Sequence, residues 1–169
     1  RRSGIEGWRM SKTPPLGRRV VVEVPATTAN LGPGFDTLGM ALTIHDHLTA
    51  TVVETPGVTV EVVGVGEGEV PIDETNLIAR SMAHAFASKK IAMPGLHLVA
   101  HNVIPHGRGL GSSGAAIVSG VMAAQGLLEG IAEFTASELL ALATDMEGHP
   151  DNIAPSLFGG LTIAWMTDE

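Results

Sequence analysis

The residues best suited to chemistry in this 169-residue sequence lie in one glycine-rich stretch, residues 105–116. The stretch reads Pro-His-Gly-Arg-Gly-Leu-Gly-Ser-Ser-Gly-Ala-Ala, and it separates a β-rich run from a long helical one. Glycine permits positive φ and a close approach to a ligand, while a helix N-terminus offers unpaired N–H groups and a partial positive charge. The pattern therefore predicts a phosphate-binding loop. The alternative is a glycine-rich turn that is capped by the hydroxyl of Ser112.

Two common phosphate motifs do not fit this stretch. The Walker motif needs a Gly-Lys pair, and no lysine follows Lys90. Residues 109–114 match the dinucleotide fingerprint G-x-G-x-x-G, which needs a strand directly before it and an acidic residue on a second strand about 20 residues later. Here residues 105–108 intervene, and residues 135–146 have a helical pattern. The missing lysine therefore excludes the Walker motif, and the context excludes the dinucleotide fingerprint.

Two further polar clusters flank the glycine-rich stretch in the sequence. Residues 147–152 read Glu-Gly-His-Pro-Asp-Asn, which alone could be a solvated connector. Residues 25–42 form a loop-like segment in which Asn30 and Asp36 could meet a substrate hydroxyl or amine, and Phe35 could anchor the loop. The polar residues of segment 25–42 give residues 147–152 a functional interpretation, since both segments could contribute to one site.

Together these segments resemble a known family. Pro105, Gly109, Leu110, Ser112, Ser113 and Gly114 match the motif P-x-x-x-G-L-x-S-S-[AG] of the GHMP small-molecule kinases. Residues 25–36 with Gly39, and residues 147–155, resemble the two other motifs of the homoserine kinases within that family. The resemblance runs from residue 20 to about residue 166.

The resemblance implies a fold of the α+β class. Residues 20–169 are expected to form the GHMP kinase N-terminal ATP-binding domain, which is similar to the second domain of ribosomal protein S5. Residues 1–19 are expected to be a flexible basic tail, with Met10 as a candidate start. The family's ferredoxin-like C-terminal domain is expected to be absent from this sequence.

The resemblance also implies an activity: transfer of the γ-phosphoryl group of ATP to the hydroxyl of L-homoserine, in threonine biosynthesis. By motif, the ATP-binding residues are Asn76, Pro105, His106, Gly107, Arg108, Gly109, Leu110, Gly111, Ser112, Ser113, Gly114 and Ala115. Ser113 and Glu147 would hold Mg²⁺, and Asn30, Asp36, His149 and Asp151 would contact homoserine. Asp36, Glu147 and Ser113 are the candidate catalytic residues.

Some points stay open at this level. Asp36 could be a general base or could only orient the hydroxyl. The carboxylate of homoserine favours an arginine partner, and Arg108 is the one cation within the motifs. Because the family's other arginines come from its C-terminal half, this chain alone is expected to have weak or no activity. The alternatives are a GHMP kinase for another small alcohol and a truncated, non-catalytic nucleotide-binding homologue.

Composition narrows the class of protein further. Hydrophobic residues make up 44% and charged residues 17%, which is typical of a globular domain. The net charge is −8, and six of the ten cations lie in residues 1–19, so the acidic body argues against nucleic-acid binding. The absence of cysteine fits the cytoplasm. The uncharged run between Arg108 and Glu129 is rich in glycine and serine, which indicates a buried helix and not a membrane span. The histidines show no spacing that is typical of zinc ligands. A homodimer is one expected form of the protein.

Periodicity predicts the order of the elements. The predictions are a strand over residues 19–24 that ends at Pro25, a loop over 25–42, a hairpin of 42–54 with 58–63, a turn at 64–68, a helix over 77–90, a strand over 96–104, a helix over 113–128, a capped helix over 135–146 and a strand over 159–165.

Overall fold

The structure, a computed structural model, describes residues 13–32 and 37–166. In chain order its elements are β1 (Arg19–Ala29), β2 (Leu38–Val53), β3 (Val58–Gly64), α1 (Leu77–Ser88), β4 (Gly95–Asn102), α2 (Ser112–Leu127), α3 (Ala136–Glu147), α4 (Ile153–Phe158) and β5 (Leu161–Ile163). The strands form one sheet in the order β1-β2-β4-β3, and β5 also pairs with β2. The predicted α+β class is confirmed.

The predicted hairpin between the second and third strands is wrong. Strand β4 lies between β2 and β3, pairing antiparallel with β2 and parallel with β3. The parallel pair is joined through α1, as a crossover connection requires. Alternation in the sequence identifies each strand, but it does not record which strand is the partner.

Pro25 does not end the first strand as predicted. The register of β1 against β2 shifts after Pro25, which pairs with His45, whereas Thr27 pairs with Ala41, and the strand continues to Ala29. Proline is tolerated here because β1 is an edge strand, where one side of the backbone makes no hydrogen bond to a neighbouring strand. The predicted loop over residues 25–42 is therefore shorter, since β2 begins at Leu38.

The helices pack on one face of the sheet and bury alternate residues of the central strands. Leu48 of β2 and Leu98 of β4 are fully buried in this core, whereas His47 and His101 on the opposite face are exposed. Helix α2 is buried through small residues such as Gly120 and Ala124. This confirms the prediction that small residues pack the helix closely. No helix in the described ranges is long and apolar enough to cross a bilayer.

The close packing of α2 against α1 makes a testable prediction at Gly120. A Cβ at this position would come within 2.5 Å of the Ile78 carbonyl oxygen and 2.7 Å of the Ser81 Cβ. Alanine normally stabilises a helix relative to glycine, but here the overpacking should dominate, so we expect Gly120→Ala to lower the free energy of unfolding by about 1–3 kcal/mol. Urea unfolding measures the change.

Gly114→Ala is the matched control for Gly120→Ala. Gly114 lies in the same buried helix, but the nearest atoms to its added Cβ would be 3.5 Å away, at ordinary contact distance. We expect this variant to be neutral or more stable by up to about 1 kcal/mol. Equal destabilisation by both substitutions would contradict the packing argument.

The three long helices agree closely with the predictions, whereas the last two elements do not. The capping box at the start of α3 is present: the Thr135 hydroxyl accepts from Glu138 N, and the Glu138 carboxylate accepts from Thr135 N. Helix α4 was not predicted, because six residues are too few to show periodicity. The predicted strand over residues 159–165 is reduced to Leu161–Ile163.

Candidate phosphate-binding site

The glycine-rich loop has the backbone geometry of an anion site. Gly107, Gly109 and Gly111 have φ values of +66°, +70° and +69°, whereas Arg108 and Leu110 between them are not in the positive-φ region. Alternation of this kind turns successive N–H groups toward one side and forms a concave nest for anions. The backbone therefore has the alternation expected of an anion-binding loop, and the binding of phosphate there stays a prediction.

The start of α2 is not capped by a side chain. Its N-cap is Gly111, which has no side-chain hydrogen bond, and Ser112 is already the first helical residue. The alternative of a turn capped by Ser112 is therefore wrong. The first-turn N–H groups of α2 and its partial positive charge remain available beside the loop.

Thr27 joins the three motifs into one site. Its backbone N–H donates to the Leu110 carbonyl at 3.0 Å, and its Oγ1 donates to Asn152 Oδ1 at 2.8 Å. The side chain of Thr27 is fully buried, and a Cβ on Gly111 would collide with its Oγ1. The sequence analysis did not select Thr27 or Asn152, although both lie within the motif segments.

Ser113 and Glu147, the predicted Mg²⁺ ligands, are in contact. Ser113 Oγ donates to Glu147 Oε2 at 2.8 Å. Helix α3 brings Glu147 to this point as its last residue, and Gly148 ends the helix with φ +93°. A hydroxyl and a carboxylate oxygen are ligands that Mg²⁺ prefers, so this pair beside the loop is suited to hold the ion.

A cavity of about 250 Å³ lies between the loop and the start of α1. It brings together four predicted ATP-binding residues, Asn76, His106, Ser112 and Ser113. Asn76 is buried and is also the N-cap of α1: its Oδ1 accepts from Ile78 N at 2.9 Å, while its Nδ2 donates to the Pro71 carbonyl at 2.7 Å. Three larger depressions, of about 460, 700 and 820 Å³, contain none of the predicted site residues.

The predicted substrate residues are less closely grouped. Asp36 lies outside the described residues. Asn30 is exposed after β1 with φ +59°, His149 is exposed, and Asp151 is buried. The Asp151 carbonyl lies where a Cβ on Gly39 would be, so Gly39 allows the segment before α4 to approach β2 closely.

The cations and histidines near the loop have distinct surroundings. Arg108 is exposed, and His106 packs on the predicted turn at residues 64–68, where a Cβ on Gly66 would come within 2.8 Å of His106 Cε1. Within residues 13–32 and 37–166, no group of three or more histidine and acidic side chains is placed to hold a metal ion.

Asp46 is a buried carboxylate that the sequence analysis did not select. It lies at the far end of the inward-facing row of β2, and its Oδ1 accepts from the N–H groups of Val103 and Ile104, at 2.7 and 3.0 Å. Burial raises the pKa of Asp46 above its usual value, although these two hydrogen bonds and the nearby His106 and His47 act in the opposite direction.

This raised pKa gives a prediction with a definite sign. The folded state binds the proton of Asp46 more tightly than the unfolded state, so the contribution of Asp46 to stability is fully present below about pH 3.9 and is lost as the pH rises through the raised pKa. We therefore expect the wild type to lose stability relative to Asp46→Asn as the pH rises through this window. Urea unfolding of both proteins over a pH series measures the difference.

Asp73 supplies the control of opposite sign. The hydroxyl and backbone N–H of Thr75 donate to Asp73 and lower its pKa. Its contribution is present above the unfolded pKa and is lost as the pH falls, so the wild type should gain stability relative to Asp73→Asn as the pH rises. The same slope for both variants would contradict the assignment of the effect to Asp46 burial.

The fold and the loop together define an α+β domain with the backbone geometry of an anion-binding loop, and comparison with known proteins gives the family. Residues 76–160 match the family described as GHMP kinases N terminal domain. The match covers half of the sequence, and the chain belongs to this family.

The most similar proteins carry a more specific name. The chain is 71% identical over 150 residues to a homoserine kinase of Clavibacter michiganensis subsp. michiganensis, which covers 89% of this chain and 48% of the relative. It is 67% identical to a homoserine kinase of Leifsonia xyli subsp. xyli, over 90% of this chain and 47% of the relative. The chain thus spans about half the length of the curated relatives that it matches.

A solved structure supports the fold directly. The crystal structure of homoserine kinase from Cytophaga hutchinsonii is 32% identical in sequence, with a TM-score of 0.77. The similarity covers 88% of this chain and 49% of the solved chain.

Proposed function

We propose that this chain is the ATP-binding part of a homoserine kinase, which transfers the γ-phosphoryl group of ATP to the hydroxyl of L-homoserine and yields O-phospho-L-homoserine. The observation that carries the proposal is the Ser113–Glu147 oxygen pair beside the uncapped N-terminus of α2 and its glycine nest. Similarity to homoserine kinases supports the choice of substrate. Threonine biosynthesis in the cytoplasm is the proposed context.

In this proposal the loop and helix bind the phosphates. Phosphoryl transfer needs mainly alignment and neutralisation of charge, which loop N–H groups, a helix N-terminus and Mg²⁺ supply. Residues 105–115 would hold the phosphates, Asn76 would lie on the adenine side, and Ser113 with Glu147 would hold Mg²⁺. Mg²⁺ held by these two oxygens would supply positive charge to neutralise the phosphates.

The acceptor side depends on the first and third motifs. Asn30, Asp36, His149 and Asp151 would contact homoserine, with Asp36 orienting the hydroxyl or accepting its proton. The domain proposed for residues 20–169 begins earlier than the sequence suggested, because Arg19 pairs with Thr51 and the Gly17 N–H donates to the Val52 carbonyl, so the basic tail proposed for residues 1–19 is shorter than predicted. A small-molecule substrate, with no nucleic-acid or membrane partner, and a homodimer are part of the proposal.

Two measurements on this chain test the proposed function. The first is binding of ATP and ADP by calorimetry, with and without Mg²⁺. The second is release of ADP from MgATP in the presence of L-homoserine, with mevalonate as the competing alcohol and the full-length Clavibacter enzyme as the positive control. We expect Mg²⁺-dependent ATP binding, and turnover by this chain far below that of the control.

The outcomes separate the alternatives. Release of ADP that depends on homoserine and not on mevalonate supports the homoserine kinase assignment. Stimulation by mevalonate alone would move the assignment to another small-alcohol kinase. Failure to bind ATP, under conditions where the control binds it, would contradict the proposed function.

A further inference from the structure

A buried carboxylate lies directly behind the phosphate loop. Asp46 is buried on the inward-facing side of β2. The pairing of β2 with β4 ends at His47, which lies opposite His101, and Asp46 is the next residue along β2 beyond that pair. Strand β4 ends one residue after this pair, at Asn102, and the loop begins at Pro105. The carboxylate therefore lies at the point where the chain leaves the sheet to form the loop.

At this point the Asp46 side chain accepts the backbone hydrogen bonds that a neighbouring strand would otherwise accept. Val103 and Ile104 follow the end of β4, and their N–H groups have no partner in the pairing of β2 with β4. Both donate to the same oxygen, Asp46 Oδ1, at 2.7 and 3.0 Å. A buried N–H without an acceptor is costly, so this oxygen stabilises one particular exit direction of the chain.

The exit direction is linked to the position of the loop. Ile104 is fully buried and packs in the same core cluster as Ala115 and Ile117 of α2, the helix whose N-terminus adjoins the loop. The loop is thus held at its start by Asp46 and Ile104, and near its end by the bond from Thr27 to Leu110. A change at the first point alters where the glycine N–H groups lie relative to Ser113 and Glu147.

We propose that Asp46 is a positioning residue of the phosphate loop. Through one side-chain oxygen it fixes the two peptide groups that set the direction of the loop, and so it contributes to binding of the nucleotide phosphates without touching them. The inference rests on the proposed function, because it assigns the loop to ATP.

If Asp46 positions the loop, its replacement should lower the affinity for ligands that carry phosphates and not for ligands without them. The probe is displacement of a fluorescent ADP analogue by ADP and, separately, by adenosine, measured on the full chain. We expect Asp46→Ala to weaken ADP binding by about tenfold, because two hydrogen bonds that hold the loop are lost, and to change adenosine binding by less than about twofold. A purely structural defect would not distinguish the two ligands.

Two variants sharpen the comparison. Asp46→Asn keeps an oxygen that can accept from both N–H groups, so we expect it to bind ADP within about threefold of the wild type. Thr135→Ala removes the side-chain acceptor of Glu138 N, at the start of α3 and away from the loop, and should leave ADP binding unchanged. Circular dichroism checks the fold of each variant, and Asp46→Ser replaces Asp46→Ala if alanine prevents folding.

Several results would overturn the proposal. These are wild-type affinity for ADP in Asp46→Ala, an equal loss for adenosine and ADP, or an asparagine variant as weak as the alanine variant. If the wild type itself does not bind ADP, the proposed function fails, and hydrogen exchange of residues 107–111 then tests Asp46 alone. Faster exchange in Asp46→Ala but not in Thr135→Ala supports the positioning role, and unchanged exchange contradicts it.

Discussion

Replacing Glu147 by glutamine is expected to remove most of the Mg²⁺ dependence of ATP binding. The substitution keeps the size of the side chain and its ability to accept from Ser113 Oγ, but it removes the negative charge of a proposed Mg²⁺ ligand. Since loss of even an outer-shell partner of a metal ligand typically lowers metal affinity about 10–100-fold, we expect at least that loss here. Calorimetric titration of ATP, with and without Mg²⁺, gives the value.

Whatever homoserine-dependent turnover this chain has should fall further than binding. A group that neutralises charge in the transition state is typically worth about 10²–10³-fold in rate. Asp145→Asn is the matched control, because it removes the same charge from the same helix, two residues earlier, where the carboxylate contacts His84 at 3.1 Å. Equal losses of turnover in the two variants would show that the effect comes from the change in net charge, and would contradict the proposal that Glu147 binds Mg²⁺.

The second large effect is expected from Gly111→Ala. Gly111 has φ +69°, and an added Cβ would collide with Oγ1 of the buried Thr27 and lie 3.2 Å from Asn152 Oδ1. The left-handed backbone costs about 1–2 kcal/mol for a residue with a Cβ, and overpacking adds about 1–3 kcal/mol. We expect the free energy of unfolding to fall by about 2–5 kcal/mol, and ADP binding to weaken with it.

Gly109→Ala separates the two contributions. Gly109 has nearly the same φ, +70°, but an added Cβ there would have no neighbour within 4 Å. Only the backbone cost of about 1–2 kcal/mol should remain. Urea unfolding of both variants tests this, and a loss in Gly109→Ala as large as that in Gly111→Ala would show that contact with Thr27 is unimportant.

Features determined by neighbouring residues were predictable from the sequence. The capping box at Thr135 and Glu138 depends on four consecutive residues, and the glycine-rich loop is confirmed as a loop that opens a helix. The pairing of Ser113 with Glu147, which are 34 positions apart, came instead from the family resemblance, and their roles stay proposals. The capping box and the loop were predictable because the residues that form each of them are adjacent in the sequence.

Features determined by distant residues were not predictable. Whether β3 pairs with β2 or with β4 depends on packing across the whole sheet. Asp46 appeared between two histidines as part of a polar run, and only alternation along the strand could have shown that it faces the core. The contact between Thr27 and Asn152 joins a residue at the register shift between β1 and β2 to the residue that begins the unpredicted helix α4.

The bond between Thr27 and Asn152 also bears on how the protein reaches its native state. The two residues are 125 positions apart, so the contact closes nearly the whole described chain into a loop. Contacts of such long range form late and slow the folding of a domain, because the entropy of closure must be lost before they stabilise anything. A growing chain that already contains the glycine-rich segment therefore lacks this support for its loop until α4 has been synthesised. Nucleotide affinity should consequently appear in the last kinetic phase of refolding, after most of the helical structure has formed.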